Sequence, residues 1–167
     1  FFEPALRVPF VIYDPRHPIP RRIGEPVSLL DLFPTIADIS GVESFPWHSS
    51  QFSGQSQLPS MAGEESGEDT QRPVFAEYLG EGAMEPIVMV RRGGYKLIAS
   101  ARSPQQLFHT AIDADETTNL IGRGLAVEDQ LRSLLESSWD LNALEDDVLQ
   151  SQQNRNFTRT ALAPRTS

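Results

Sequence analysis

The stretch of sequence that decides the fold runs from residue 5 to residue 41. It reads ALRVPFVIYDP at 5–15 and, after a proline-rich loop, EPVSLLDLFPTIADISG at 25–41. Within the first part, Val8–Tyr13 is a short, nearly continuous apolar run that contains β-branched residues. Such a run is typical of a fully buried strand in an α/β sheet, because strands buried on both faces do not alternate.

The second part predicts a helix. Ser28 and Asp31 have the spacing of a capping box, in which the side chain of each accepts a hydrogen bond from the backbone of the other. Pro34 inside the pattern predicts a bend or a 3₁₀ turn that passes into the helix proper, and Gly41 suits the left-handed residue after it. The apolar residues of one predicted helical face are Leu29, Leu32, Phe33, Ile36 and Ile39.

Composition limits the classes of function. The chain has 167 residues, with 14 Lys and Arg against 23 Asp and Glu, and its net charge is −9. This balance argues against nucleic acid or an anionic membrane as a partner, because both bind clustered positive charge. The absence of cysteine excludes disulfides, thiolate metal sites and a cysteine nucleophile in this chain. No apolar run approaches the ~18 residues of a membrane span. The lack of cysteine and of a visible signal segment favours a cytoplasmic location, although the sequence leaves the compartment open.

A polar segment separates the two halves of the chain. Residues 44–72 are rich in Ser, Gly and Gln and include the acidic run 64–69, so we expect a linker whose residues 63–70 form an exposed loop. From residue 73 the pattern changes to strands, with a glycine-bearing hairpin turn at 91–94. The predicted strands are 74–79, 87–90, 95–99 and 107–108, the predicted helices are 127–139 and 141–153, and a polar tail covers 154–167.

These motifs resemble the sulfatase family. RVP at 7–9 and LDLFPTI at 30–36 are similar to the last strand and helix of the sulfatase catalytic domain. AEYLGEG at 76–82 and PIVMVRRGGYK at 86–96 resemble the narrower pattern of choline sulfatases. QLF at 106–108 and DADETTNL at 113–120 resemble a general sulfatase pattern, and WD at 139–140 with VLQSQ at 148–152 resembles the start of the choline-sulfatase tail.

The resemblance implies a fold and a division of the chain. The expected class is α/β, a fragment of the alkaline-phosphatase-like sulfatase fold. Residues 1–43 would end the catalytic domain and 44–72 would be the linker. Residues 73–140 would form a small α+β C-terminal subdomain with an antiparallel sheet, and 141–167 a choline-sulfatase-like tail.

The resemblance also implies an enzyme whose chemistry lies outside this chain. Sulfatases use a formylglycine made from a Cys or Ser in a Cys/Ser-x-Pro/Ala-x-Arg motif, together with a divalent cation that is expected to be calcium. That motif is absent here. We therefore expect the isolated chain to be inactive, and its partner to be the N-terminal sulfatase region of a sulfuric ester hydrolase.

Three residues are candidates for binding substrate. Glu77, Tyr78 and Glu81 supply two carboxylates and an aromatic ring within five positions. A quaternary ammonium group donates no hydrogen bond, so a site recognises it with carboxylates and aromatic faces. In choline sulfatases a glutamate of this segment is implied in choline recognition, and the sequence leaves open whether it is Glu77 or Glu81. The alternative is a solvated strand edge.

Other charged residues are assigned to structure. Arg91 and Arg92 could bind sulfate, but an exposed hairpin turn is the simpler interpretation. Lys96 is expected to extend along apolar surface to water. The acidic residues at 113–116 lack the glycine and terminal glutamate of a calcium loop, which favours a turn stabilised by Asx hydrogen bonds. His17, His48 and His109 offer no metal-ligand spacing.

Two other functions stay open. The parent could be a phosphonate monoester hydrolase or a different sulfatase, or the chain could be a truncated, non-catalytic binding or structural module. In choline sulfatases the tail is implied in subunit contacts, which suggests a homo-oligomer. Here, however, residues 154–167 depart from that tail, as Ala114 departs from the usual proline of the general pattern.

Overall fold

The structure is a computed structural model that describes residues 1–16, 19–42, 54–63, 72–80 and 83–162. The helices are α1 (Glu3–Leu6), a 3₁₀ turn (Leu29–Asp31), α2 (Leu32–Ile39), α3 (Leu58–Ala62), α4 (Ala126–Ser138) and α5 (Leu141–Leu162), and the strands are β1 (Val74–Tyr78), β2 (Ile87–Arg92), β3 (Tyr95–Ala99) and β4 (Gln106–His109). None of the helices in the described part is both long and apolar enough to cross a membrane.

The chain divides into two compact units. One contains Phe2–Phe75 and Arg91–Gly94, and the other contains Phe1, Ala76–Val90 and the residues from Tyr95 onward. The predicted domain limits at residues 43, 72 and 140 remain predictions. Of the expected exposed loop at 63–70, residues 64–70 lie outside the described residues.

The four strands form one antiparallel sheet in the order β1-β2-β3-β4. The predicted strands are confirmed, with ends that move by one or two residues. The β2–β3 turn consists of Gly93 and Gly94, and Gly93 has a φ of +56°, which glycine adopts without steric cost. Arg91 and Arg92 therefore lie in β2, which corrects their expected position in the turn. In the β3–β4 pair, Tyr95 lies opposite His109 and Leu97 opposite Leu107.

The sheet and α4 enclose the main core. Four successive residues of β3 are buried, so both faces of this strand are covered, because successive side chains point to opposite faces. Helix α4 packs against β3 through its buried leucines. The buried apolar residues of this core are Val88, Met89, Val90, Leu97, Ile98, Ala99, Leu107, Phe108, Leu131 and Leu135.

Lys96 is the clearest departure from the expected structure. Its side chain is fully buried and does not reach water. The Nζ atom forms an ion pair with the buried carboxylate of Glu116 and donates a hydrogen bond of 2.8 Å to the carbonyl oxygen of Phe1. Burying one charge without a partner costs several kcal/mol, so Lys96 is held inside by the carboxylate that the β4–α4 loop supplies.

The predicted helix start is confirmed in detail. Ser28 and Asp31 form a reciprocal capping box on the 3₁₀ turn, α2 follows directly, and Gly41 has a φ of +69°. The Asp31 carboxylate is almost fully buried, and the guanidinium of Arg72 donates to its Oδ1 at 2.8 Å. The same carboxylate accepts from the backbone N–H of Gln55 and the side chain of Gln57. One aspartate thus caps the helix and fixes the segment that leads into α3.

The expected strand at Val8–Tyr13 is wrong, and the apolar face of α2 is largely exposed. Val8–Tyr13 forms no strand, and Val11 and Tyr13 are 89% and 86% exposed. A buried strand needs a neighbour to satisfy its backbone groups, and the described sheet does not include this segment. On α2 the buried side carries Pro34, Thr35 and Ala37, whereas most of the predicted apolar face, including Phe33 and Ile36, is exposed.

The end of the chain is more helical than expected. Helix α5 continues to Leu162, nine residues beyond the predicted limit at 153, and so takes in most of the predicted polar tail. The residues at 151–162 are all exposed. The prediction failed here because polar residues with good helix propensity look the same in a tail and on a solvated helix.

The buried ion pair yields a test of stability. Lys96→Met should lower the free energy of unfolding by about 3–5 kcal/mol, because Glu116 then stays buried without its cation. The double variant Lys96→Met/Glu116→Leu should recover most of this loss, since it removes the carboxylate that the single variant leaves without its cation. Arg132→Met, which removes a partly exposed partner of Glu128, should cost about 1 kcal/mol or less. Urea unfolding measures all three, and an equal loss for Lys96→Met and Arg132→Met would contradict the assignment.

Candidate functional site

The structure places Glu77 at the exposed end of β1. Its neighbour in space is Trp139, whose indole Nε1 donates a hydrogen bond of 3.2 Å to Glu77 Oε2. Trp139 follows the last residue of α4 and is partly buried. The Glu77 side chain is exposed, so its carboxylate is accessible from solvent while one of its oxygens is held by the indole.

Of the other two predicted site residues, the structure describes Tyr78 and not Glu81. Tyr78 is 45% exposed, and its ring lies over Gly80, where an added Cβ would come within 3.0 Å of the ring atom Cζ. Glu81 lies outside the described residues. The structure therefore brings Glu77 and Tyr78 to one exposed strand end, and the choice between Glu77 and Glu81 as the substrate-facing residue remains a prediction.

The segment after β1 is anchored at its far end by Glu85. The carboxylate accepts hydrogen bonds from the hydroxyl of Ser103 and from the backbone N–H of Arg102, and these bonds lower the pKa of Glu85. The guanidinium of Arg102 in turn binds Glu145 on α5. This chain of contacts links the loop that follows the candidate site to the first half of α5.

The described cavities are too small or too open to define a binding pocket. A cavity of about 30 Å³ lies between the 79–86 segment and α5, lined by residues such as Leu79, Met84 and Leu149. That volume corresponds to about one water molecule in the liquid. A larger space of about 690 Å³ is lined only by α5 residues, between Asp147 and Leu162, so it is the side of one helix. A substrate pocket at Glu77 would need walls beyond those that the described residues provide.

The acidic turn after β4 is structural, as predicted. The Asp113 carboxylate accepts hydrogen bonds from the backbone N–H groups of Thr118 and Thr117, and these bonds hold its pKa below the ordinary value. The Asn119 side chain accepts from the N–H of Leu107 and donates to the carbonyl of Gln105, which ties the turn to β4. Across the described ranges, no three His, Asp or Glu side chains are placed to hold a metal ion.

The remaining candidates also have structural partners. Arg91 binds the carboxylate of Glu3 at 3.0 Å, so its charge is already compensated within the unit that holds both residues. His109 packs edge-on against Tyr95, its partner across the β3–β4 pair, with ring centroids 4.2 Å apart. His17 and His48 lie outside the described residues.

Comparison with known proteins decides the family. The chain is 35% identical to a choline-sulfatase of Rhizobium meliloti over 163 residues, which is 93% of the chain. It is 32% identical to arylsulfatase K of Danio rerio over 88% of the chain, and 31% identical to arylsulfatase K of Mus musculus over 71%. The chain belongs to the sulfatase family. It corresponds to the C-terminal portion of these proteins and spans 30% of the length of the choline-sulfatase.

Solved structures agree on the sulfatase fold. A candidate sulfatase of Bacteroides thetaiotaomicron has a TM-score of 0.54 at 25% identity, over 64% of this chain and 23% of its own. A protein in complex with its substrate D-glucosamine-2-N,6-O-disulfate has a TM-score of 0.53 at 23% identity, over 65% of this chain and 23% of its own. No family model matches the chain. The expected fold class is thereby confirmed.

The residue that sequence reasoning missed is Trp139. Its signal was present in the tryptophan–aspartate pair at 139–140, which we interpreted only as the start of the tail. The structure gives each member of the pair a separate contact. Trp139 binds Glu77, and Asp140 Oδ1 accepts from the backbone N–H groups of Asn142 and Ala143 at the start of α5.

The hydrogen bonds to Asp113 predict how stability responds to acid. Because the folded-state pKa lies below the ordinary value, the bonds stabilise the fold above that value, and this contribution disappears as the pH falls through the lowered folded-state pKa. Near neutral pH, Asp113→Asn should have a lower free energy of unfolding than the unchanged protein. When the pH falls from about 5 to about 3, the free energy of unfolding should decrease less for this variant than for the unchanged protein. Urea unfolding midpoints at several pH values across this range measure the change in stability. Asp115→Asn, in the same turn but exposed, is the control. Parallel acid curves for Asp113→Asn and the unchanged protein would contradict the assignment.

Proposed function

We propose that this chain is part of a sulfuric ester hydrolase that acts on the sulfate ester of a small cationic alcohol, of the kind represented by choline sulfate. The observation that carries the proposal is the 35% identity to a choline-sulfatase across almost the whole chain. The exposed Glu77 carboxylate supports it, because a positively charged alcohol needs a negative partner. In this proposal the chain contributes to substrate recognition and not to bond cleavage.

The sulfatase nucleophile and metal do not fit residues of this chain. The sequence has no cysteine from which formylglycine could form and no serine in the family pattern, and the described part contains no cluster of metal-ligating side chains. The proposal therefore assigns formylglycine and calcium to the part of the longer protein that lies outside this chain.

An exposed apolar surface supports the proposed contact with that region. On the 3₁₀ turn and α2, Leu29, Phe33 and Ile36 are 63%, 47% and 52% exposed, although they share the apolar face expected of a packed helix. Single exposed apolar side chains are ordinary, but a continuous face usually marks an interaction surface. We assign this face to the catalytic α/β region. A homo-oligomer remains a proposal that rests on the resemblance to choline sulfatases.

A second sulfatase activity is favoured by the matches to arylsulfatase K. Five vertebrate proteins of this name match the chain at 28–32% identity. An enzyme of that kind would not depend on a cationic alcohol for recognition. The two proposals therefore predict different effects of removing the charge of Glu77. The first predicts lower activity on cationic esters alone, and the second predicts no change on either class of ester.

Glu77→Gln in the longer enzyme distinguishes between the two proposed sulfatase activities. The substitution keeps the shape of the side chain and removes its charge, which costs on the order of 1–2 kcal/mol if a quaternary ammonium lies within about 6 Å. We expect kcat/KM for choline sulfate to fall roughly tenfold, while kcat/KM for a neutral aryl sulfate stays almost unchanged.

Two variants serve as comparisons for this measurement. Glu81→Gln tests the alternative glutamate, and Glu136→Gln removes an exposed carboxylate of α4 as the matched control. Equal losses on both esters for Glu77→Gln would indicate a structural carboxylate. No loss on either ester would favour the second sulfatase activity.

A further inference from the structure

Trp139 is held at a fixed point between two helices. Its backbone N–H donates to the carbonyl of Leu135 at 2.9 Å, which ends α4, and its own backbone is extended. The next residue, Asp140, caps the start of α5. Because the backbone is fixed on both sides, the α4–α5 junction sets the point from which the indole projects, and the hydrogen bond to Glu77 is the contact of the ring itself.

The indole in turn restricts the Glu77 carboxylate. An exposed glutamate on an edge strand samples several rotamers, each of which places its charge differently. The hydrogen bond from Trp139 Nε1 to Oε2 selects the arrangement that keeps the carboxylate beside the ring. A donor to a charged acceptor forms a stronger bond than a neutral pair, so the preference holds even at an exposed site.

The geometry of this pair suits a cation. The indole N–H lies in the plane of the ring, so the carboxylate meets the ring edge and does not cover its face. The bond engages Oε2, and Oε1 is not part of it. A carboxylate next to a tryptophan ring combines the two groups that attract an alkylated ammonium, and tryptophan is the best aromatic residue for this purpose.

We propose that Trp139 is a specificity-determining residue that orients Glu77 toward the cationic alcohol part of a sulfate ester. This inference rests on the proposed function. The alternative is that Trp139 serves only to pack the helix junction, since it is partly buried. A packing role would affect all substrates alike, whereas an orienting role affects only substrates that carry a positive charge.

Trp139→Phe in the longer enzyme separates the two roles. The variant keeps an aromatic ring at the junction and removes the N–H donor. Loss of one hydrogen bond to a charged group predicts a roughly threefold to tenfold fall in kcat/KM for choline sulfate. For a neutral aryl sulfate, kcat/KM should stay within about twofold, and the double variant Glu77→Gln/Trp139→Phe should be no more than about twofold worse than Glu77→Gln alone.

The outcomes distinguish this inference from the proposed function. Equal losses on both esters for Trp139→Phe, or no loss on either, would overturn the inference while a selective Glu77→Gln effect leaves the proposed function standing. An unselective or absent effect of Glu77→Gln would overturn both. Thermal unfolding of each variant shows whether the junction is intact. Trp139→Leu, which also removes the ring, should lose more on choline sulfate than Trp139→Phe does, and a smaller loss would also overturn the inference.

Discussion

A charge that leaves water must find a partner inside the protein, and this constraint shapes both units of the chain. In the sheet unit the fully buried Lys96 pairs with Glu116, and in the other unit the buried Asp31 pairs with Arg72. Each pair joins segments that are distant in sequence. These four charged residues therefore stabilise the positions of loops in the fold, although buried charges can resemble catalytic groups.

The same constraint separates Glu77 from the other acidic candidates. Asp31 and Glu116 form ion pairs with Arg72 and Lys96, which compensate their charges, and the Asp113 carboxylate is held by hydrogen bonds within its own turn. Glu77 is exposed and accepts a hydrogen bond from the neutral indole N–H of Trp139, a contact that does not cancel its negative charge. An exposed carboxylate that a tryptophan N–H orients is the feature on which the proposed recognition of a cationic alcohol depends.

Much of the fold could be predicted because its signals are local. The Ser28–Asp31 capping box, the Gly93–Gly94 turn and the Asx turn at Asp113 each depend on residues within five positions of one another, and all three are present. The burial of Lys96 could not be predicted in this way. It depends on Glu116, which is twenty positions away and has a backbone φ of +53° that gives no signal in the sequence.

The failures have physical causes of the same kind. The apolar run at 8–13 has the composition of a buried strand, but pairing requires neighbours that the described sheet does not provide. Glu77 could be proposed as a candidate from its residue type and motif, and it stays a prediction. Trp139 could not be proposed in this way, because the contact between them spans 62 positions and joins an edge strand to the end of a helix.

The most direct test of the account is a crystal structure of the longer protein with choline sulfate bound in a catalytically inactive variant. The account predicts that the quaternary nitrogen lies within about 6 Å of the Trp139 ring centroid and beside the Glu77 carboxylate. A structure in which the trimethylammonium group is bound by other residues, with Glu77 directed into solvent, would contradict it.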